Sequence, residues 1–229
     1  MAIEIRGVCG CLGDAVIDRL ISWDVDVIVT EPRHTERNAL QLKFSQSSIL
    51  STGEGYSVSF DGTPADLIIG KHIVVHDIIP SRFDGELVNP ELQDWFTSLQ
   101  NNLPLSTEFP IRWWVGVTDV ADAIARIARA EKKVNSVEIC GRREWKPEDA
   151  ISEIEMLWRR TSQSILGSFD STALQIQPVP GVIVDGNRAN RPDLSPLNEL
   201  LKSIDGEGWR PLTPFRSAMM VLIADLIAE

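Results

Sequence analysis

Apolar and polar residues alternate from the start of the chain, with Ile3 and Ile5 flanking Glu4, and this predicts a short strand ending near Arg6. Val16, Ile17, Leu20 and Ile21 then recur at helical spacing, predicting a helix from about Asp14 to Trp23. Asp26-Val-Ile-Val-Thr30 reads as a second strand and ends on Glu31. Ala39 to Phe44 and Tyr56 to Phe60 each alternate, on either side of a Ser/Gly-rich stretch from Ser45 to Gly55. Period-two alternation across a polar loop predicts an antiparallel pair with one wet face over residues 39–60. No helical stripe marks the crossover that a parallel pair requires. Asp61-Gly62-Thr63-Pro64 is a turn signal, and Leu67–Ile69 and Ile73–Ile79 are short continuous apolar runs suited to a covered sheet.

In the second half the spacing of Leu92, Trp95, Phe96 and Leu99 predicts a helix over Pro90–Asn101. Thr118 to Lys132 is a strong helical stretch, with Thr118 as its N-cap and Ala121, Ala125 and Ala128 small enough for close packing. Val137–Cys140 is a strand, and Lys146-Pro-Glu-Asp opens a helix running to about Arg160, with acids near its positive end. Gln175 to Arg191, rich in Pro and Gly, reads as strand and loop. Leu197–Ile204 and Pro214–Ala228 are terminal helices, and no internal repeat is apparent.

Between the first strand and the first helix lies Gly7-Val-Cys-Gly10-Cys11-Leu12-Gly13. In such a unit the first glycine permits a tight turn, the second lets a pyrophosphate approach the backbone, and the third lets helix and strand pack closely. The helix N-terminus offers free N–H groups to phosphates. A carboxylate at the end of the second strand, Glu31, is placed to accept hydrogen bonds from the adenosine ribose. Arg33 leaves open a contact to a 2′-phosphate, but Glu31 would repel that phosphate, so NAD is favoured over NADP. Asp14 competes for the same N–H groups, and Arg6 could offset its charge.

The Gly-x-x-Gly-x-x-Gly spacing resembles that of the extended short-chain dehydrogenase/reductase family, the NAD-dependent nucleotide-sugar epimerases and dehydratases. Ile111-Arg-Trp-Trp-Val-Gly-Val-Thr-Asp-Val-Ala-Asp-Ala-Ile124 is similar to the family segment Arg-x-x-hydrophobic-His-Val-x-Asp-hydrophobic-Ala, with Gly116 in place of the histidine. Val134–Gly141 is similar to its following strand, and Ile73–Pro80 to a worn form of Arg-hydrophobic-x-Asn-Val-Tyr-Gly-Pro. Arg191-Pro-Asp193 and Gly208-Trp-Arg-Pro-Leu-Thr213 resemble the closing motifs Arg-Pro-Gly-Asp and Leu-Gly-Trp-x-Pro-x-Thr. The resemblance implies an α/β, Rossmann-like NAD(P)-binding fold with a reduced central sheet over residues 1–145, and a small C-terminal lobe over 146–229. It implies a dinucleotide held by Gly7, Gly10, Cys11, Leu12, Gly13, Glu31 and Arg33. It also implies a nucleotide sugar whose diphosphate is gripped by Arg112 and Arg191; arginine's planar fork suits phosphate oxygens. Asp119 falls beside the helix start and reads as structural, and Trp113, Trp114 and Trp209 read as packing residues.

The family's chemistry rests on a Tyr-x-x-x-Lys pair, and this chain has none: its single tyrosine, Tyr56, is followed four residues on by Phe60. The interval from Glu31 to Ile73 is also too short for the family's central strands and helices. Catalytic residues are therefore unknown, and the expectation is a degenerate relative that binds without turnover. A non-catalytic scaffold or partner subunit of a full-length relative is a second reading. A third is an enzyme whose acid/base has moved to His76, Asp77 or Tyr56.

Composition narrows the classes further. At 229 residues with 43% hydrophobic content the chain can bury a substantial core. A net charge of −11 argues against nucleic acid, whose phosphates need a basic face. Three cysteines form no disulfide framework and fit a reducing cytoplasm, and Cys9-x-Cys11 lacks the further ligands of a metal site. The first residues carry Glu4 and Arg6 rather than a signal peptide, and the longest apolar run, Ala218–Ala228, includes Asp225 and is too short for a bilayer. A shortened sheet leaves an edge that association could cover, so a homodimer or a heteromer is expected.

Overall fold

The computed structural model describes residues 1–7, 10–31, 33–83, 89–165 and 191–228. In chain order the elements are β1 (Ala2–Arg6), α1 (Cys11–Ser22), β2 (Asp26–Ile28), α2 (Arg33–Arg37), α3 (Ala39–Leu42), β3 (Ile49–Leu50), β4 (Tyr56–Ser59), β5 (Leu67–Ile68), β6 (Ile73–Val75), β7 (Ile78–Ile79), α4 (Pro90–Gln100), β8 (Val115–Gly116), α5 (Val117–Arg129), β9 (Val137–Ile139), α6 (Pro147–Ile165), α7 (Ser195–Asp205) and α8 (Phe215–Ala228). The strand and loop expected over 175–191 lie, except for Arg191, outside the described residues, as does Cys9. The chain divides into two compact units, each assembled from three separated segments. Met1–His76, Val117–Cys140 and Pro192–Leu212 form the first; Asp77–Gly116, Gly141–Arg191 and Thr213–Glu229 form the second. A single boundary after residue 145 does not describe this division, because α7 returns to the first unit.

The first unit is built on a five-stranded sheet of order β3-β2-β1-β4-β5 in which every neighbouring pair is parallel. A parallel bridge between Ile69 and Ile73 links the end of β5 to β6, and β6 pairs in parallel with β9. The antiparallel pair expected over 39–60 is therefore corrected on both sides. Residues 39–42 are helical, and Tyr56–Ser59 pairs in parallel with β1, from Ile3 opposite Tyr56 to Arg6 opposite Ser59. The alternation does report one polar face, on which Ser57 and Ser59 are nonetheless buried, and a polar face is indifferent to strand direction. Ile3, Ile5, Val27, Val58 and Leu67 are buried on one side. Glu4 and Arg6 alternate with them on the other side, half-buried and ion-paired at 2.6 Å. Ser57 and Ser59 share that polar face by register, and Asp66 accepts hydrogen bonds from the Ser57 amide and hydroxyl at 2.9 and 2.8 Å.

Helices α1 and α5 pack on each other and on the sheet, burying Val16, Ile17, Leu20 and Ile21 against Val120, Ile124 and Ile127. Helix α3 lies beside α1, and α7 on α5. Parallel sheets are ordinarily covered by helices on both faces. Here the described helices gather on the apolar face, and short straps replace the other crossovers. Residues 51–55 carry the chain from β3 across to β4. A Cβ on Gly53 would come within 2.9 Å of the Ile28 Cδ1, and one on Gly55 within 2.3 Å of the Ala2 carbonyl oxygen, so this strap lies closer to the sheet than any side chain permits.

In the second unit β7 and β8 form a short parallel pair, Ile78 opposite Val115 and Ile79 opposite Gly116. Around it α4, α6 and α8 enclose an aromatic core of Trp95, Phe96, Trp114, Trp145 and Phe215, with Trp145 stacked on Phe215 at 4.1 Å. Helix α4 starts with Pro90 at its first position, and the Asn89 side chain accepts the Glu91 amide at 2.9 Å, satisfying one of its free N–H groups. Trp113 and Trp114 are buried, in keeping with packing rather than base stacking.

Candidate functional site

The last paired residues of β1 and β4 are Arg6 and Ser59, so Gly7 and Asp61 emerge together at the carboxyl ends of the strands. Gly7 turns the chain with a φ of +90°, a conformation only glycine adopts without strain. A Cβ there would lie 2.6 Å from the Asp61 Cγ, so the turn is also sterically reserved for glycine. Helix α1 begins after Gly10, and no side chain caps it, which leaves its first turn suited to an anion. Cys11, Leu12 and Gly13 form that turn and are buried. Glu31 follows β2 at the same edge. The strand, glycine turn, helix and second-strand acid thus fit the phosphates and ribose of a dinucleotide, with β1 at the point where the strand order reverses.

The electrostatics of this edge are dense. Asp14, in the first turn of α1, is only 1% exposed. Around it α2 places Arg33 at 3.7 Å, His34 at 3.4 Å and Arg37 at 3.6 Å. Arg33 also pairs with Glu31 at 2.6 Å, and Arg37 with Asp18 at 2.5 Å. His34 is buried, its Nε2 facing the Glu31 carboxylate at 3.6 Å; burial above all holds its pKa below the ordinary value. On the other flank Asp61 accepts the Thr63 amide and hydroxyl and the Ser59 hydroxyl, and these bonds, the amide first, lower its pKa. Arg6 does not offset Asp14: it pairs with Glu4 and donates to the Pro64 carbonyl at 2.6 Å. Residue-by-residue reading missed His34 and Arg37. Their signal was the spacing of Arg33 and Arg37, one helical turn apart, matching that of Asp14 and Asp18 on α1.

The other candidates are dispersed. Tyr56 lies at the opposite, amino end of β4, and its hydroxyl donates to the Lys132 carbonyl at 2.6 Å. Burial, then Asp66 and Glu131, push its pKa up to about 12, the wrong direction for a base. Asp77, in the second unit, accepts the Trp113 amide at 2.8 Å and Arg112 Nη1 at 3.2 Å. Arg112 is further clasped by the buried Glu91, whose hydrogen bond is the main reason its pKa is raised. Arg191 is exposed, and among the described residues no ion pair joins it to Arg112. His76 Nε2 meets the Glu138 carboxylate at 3.2 Å, and Glu138 also accepts the Asp193 amide at 3.0 Å. Asp119 is structural, accepting the Leu212 amide at 2.9 Å, and the Trp209 indole donates to the Cys140 carbonyl at 2.9 Å. No helix of the described residues is long and apolar enough to cross a membrane.

The fold is similar to that of several solved epimerase and dehydratase structures. A UDP-galactose 4-epimerase superposes with a TM-score of 0.56 at 10% identity, covering 100% of this chain and 99% of its own. The Bordetella bronchiseptica enzyme WbmF, crystallised with NAD+ and UDP, gives 0.54 at 11%, covering 99% and 92%. The dTDP-glucose 4,6-dehydratase of Bacillus anthracis, crystallised with NAD, gives 0.52 at 11%, covering 100% and 97%. At such identities the likeness is one of fold. No protein-family model matches the chain, and no curated protein matches it in sequence.

Proposed function

We propose that this chain binds an adenine dinucleotide, NAD, without the turnover of the epimerases and dehydratases whose fold it shares. The observation that carries this reading is the β1–Gly7–α1–β2–Glu31 unit at the carboxyl edge of a parallel sheet, at its topological switch point. Gly7, Gly10, Cys11, Leu12 and Gly13 would hold the pyrophosphate, and Glu31, steadied by Arg33, the ribose hydroxyls. NADP fits less well, because its 2′-phosphate would meet Glu31.

Loss of turnover follows from the proton transfer. A positioned base contributes about 10²–10⁴-fold to such a step. The chain's one tyrosine is raised toward a pKa of about 12 and faces the wrong end of the sheet. A nucleotide sugar would have to draw on Arg191, since Arg112 is committed to Glu91 and Asp77. Its setting is the cytoplasm, and its partner a second copy or a full-length relative; Leu40 and Phe44, 69% and 87% exposed, offer an apolar surface to either.

Calorimetric titration with NAD, NADH and NADP tests the reading. Binding of NAD or NADH, abolished when Gly10 becomes a bulky residue, is expected. Absence of heat at millimolar ligand overturns it. Incubation with UDP-, GDP- and dTDP-sugars is expected to give no conversion.

A further inference from the structure

Among the described residues His34 is a deeply buried titratable base at the carboxyl edge, 1% exposed, and its Nδ1 has no hydrogen-bond partner among them. Buried polar atoms are almost always satisfied, so an orphaned nitrogen calls for a physical account. The ring is held between the two acids that frame the candidate dinucleotide site. Nδ1 faces Asp14 of the α1 first turn at 3.4 Å, and Nε2 faces Glu31 beyond β2 at 3.6 Å. The other charged groups around it are Arg33 and Arg37 of its own helix, with Asp18 of α1 paired to Arg37.

With His34 neutral, Asp14, Asp18 and Glu31 outnumber Arg33 and Arg37 by one charge. A helix N-terminus attracts phosphate, but a carboxylate within its first turn works against that attraction. We infer, resting on the dinucleotide reading above, that His34 takes up a proton as NAD binds and so becomes the residue that fits this acidic edge to a pyrophosphate. The proton converts both long contacts into charged hydrogen bonds, Nδ1–H to Asp14 and Nε2–H to Glu31. Asp14 is then neutralised next to the phosphates, and Glu31 is held in place for the ribose. Burial disfavours the imidazolium in the free protein, while added negative charge nearby favours it. Linkage is reciprocal: a ligand that promotes protonation is bound more tightly by the protonated protein.

The affinity for NAD is therefore expected to rise as pH falls through the histidine range, by up to about tenfold per pH unit. The test is calorimetric titration of the full chain with NAD at several pH values, in paired buffers of different ionisation enthalpy, which reads the protons taken up per ligand. Uptake of up to one proton, abolished in His34→Asn and His34→Gln chains that retain the native circular dichroism, supports the inference. Carbon-13 NMR of the histidine rings in the unmodified chain gives the same answer without substitution: one ring, not His72 or His76, should move to its protonated shift when NAD is added. Binding with pH-independent affinity and no proton uptake overturns the inference while leaving the dinucleotide reading intact. Absence of NAD binding at every pH overturns both.

Discussion

Arg112 and Glu91 hold each other in a fork, the guanidinium Nε donating to both carboxylate oxygens at 3.0 and 2.9 Å, with Asp77 bonded at its far side. Both acids are almost wholly buried, and the arginine is the cation that both of them bond. Arg112→Met should destabilise the chain by about 3 kcal/mol, because it strands two buried carboxylates. Urea unfolding measures this. Arg112→Lys should recover only part of the loss, since an ammonium cannot reproduce the fork. Equal stability of the Met and native chains would show that the triad is solvated.

Gly7 should tolerate no side chain. Gly7→Ala is expected to cost about 1–3 kcal/mol from backbone strain alone, with the Asp61 clash added to it. Combining it with Asp61→Gly removes the contacts to the Asp61 side chain at 2.6 and 2.8 Å but leaves the residue 61 amide nitrogen at 2.9 Å and the strain. Thermal melts of the two single variants and the double variant should therefore be non-additive in the direction of rescue.

Tyr56 provides a direct optical titration, because it is the only tyrosine. Its tyrosinate absorbance should develop with a midpoint of about 12 in the folded chain, and near 10 in denaturant. The folded pKa lies above the unfolded one, so this contribution to stability is complete below pH ~10 and is lost as pH rises through 12. Tyr56→Phe should flatten that alkaline loss and leave NAD binding unchanged. A folded-state midpoint near 10 would contradict the burial argument.

Leu40 of α3 and Phe44, two residues past its end, are exposed, and Leu50 of the edge strand β3 is 38% exposed. Light scattering should show self-association that Leu40→Glu with Phe44→Asp reduces. A monomer across a wide concentration range in the unmodified chain would argue against it.

The strand–glycine–helix–strand–acid unit was legible because each of its signals is local: two periodicities, a glycine spacing and a terminal carboxylate. The parallel placement of Tyr56–Ser59 beside β1 was not. Alternation in Tyr-Ser-Val-Ser records which side is polar, whereas strand direction is settled by a partner more than fifty residues away. No crossover helix signals a parallel pair there, because residues 51–55 make the crossing as a glycine strap. The carboxylates around Arg112 were illegible for a related reason: Asp77 precedes β7, Glu91 lies on α4 and Arg112 precedes β8, and only the fold of the second unit brings these positions together.

The short crossovers also alter how the sheet can assemble. Val58 pairs with Leu67, nine residues on, and Ile69 bridges to Ile73, four residues on. A βαβ unit spans about 30 residues, so closing the nine-residue loop instead saves about 1 kcal/mol of chain entropy. Pairings this local lower the contact order and favour fast formation. Residues 56–75 should be an early-forming segment on which the distant partners, β1 and β9, dock later; pulsed hydrogen exchange during refolding should show protection of the Ile69 amide, bonded to the Ser59 carbonyl, before that of Val137, bonded to the His72 carbonyl. Short local connections thus turn what is ordinarily the slowest part of a parallel sheet to build into its nucleus.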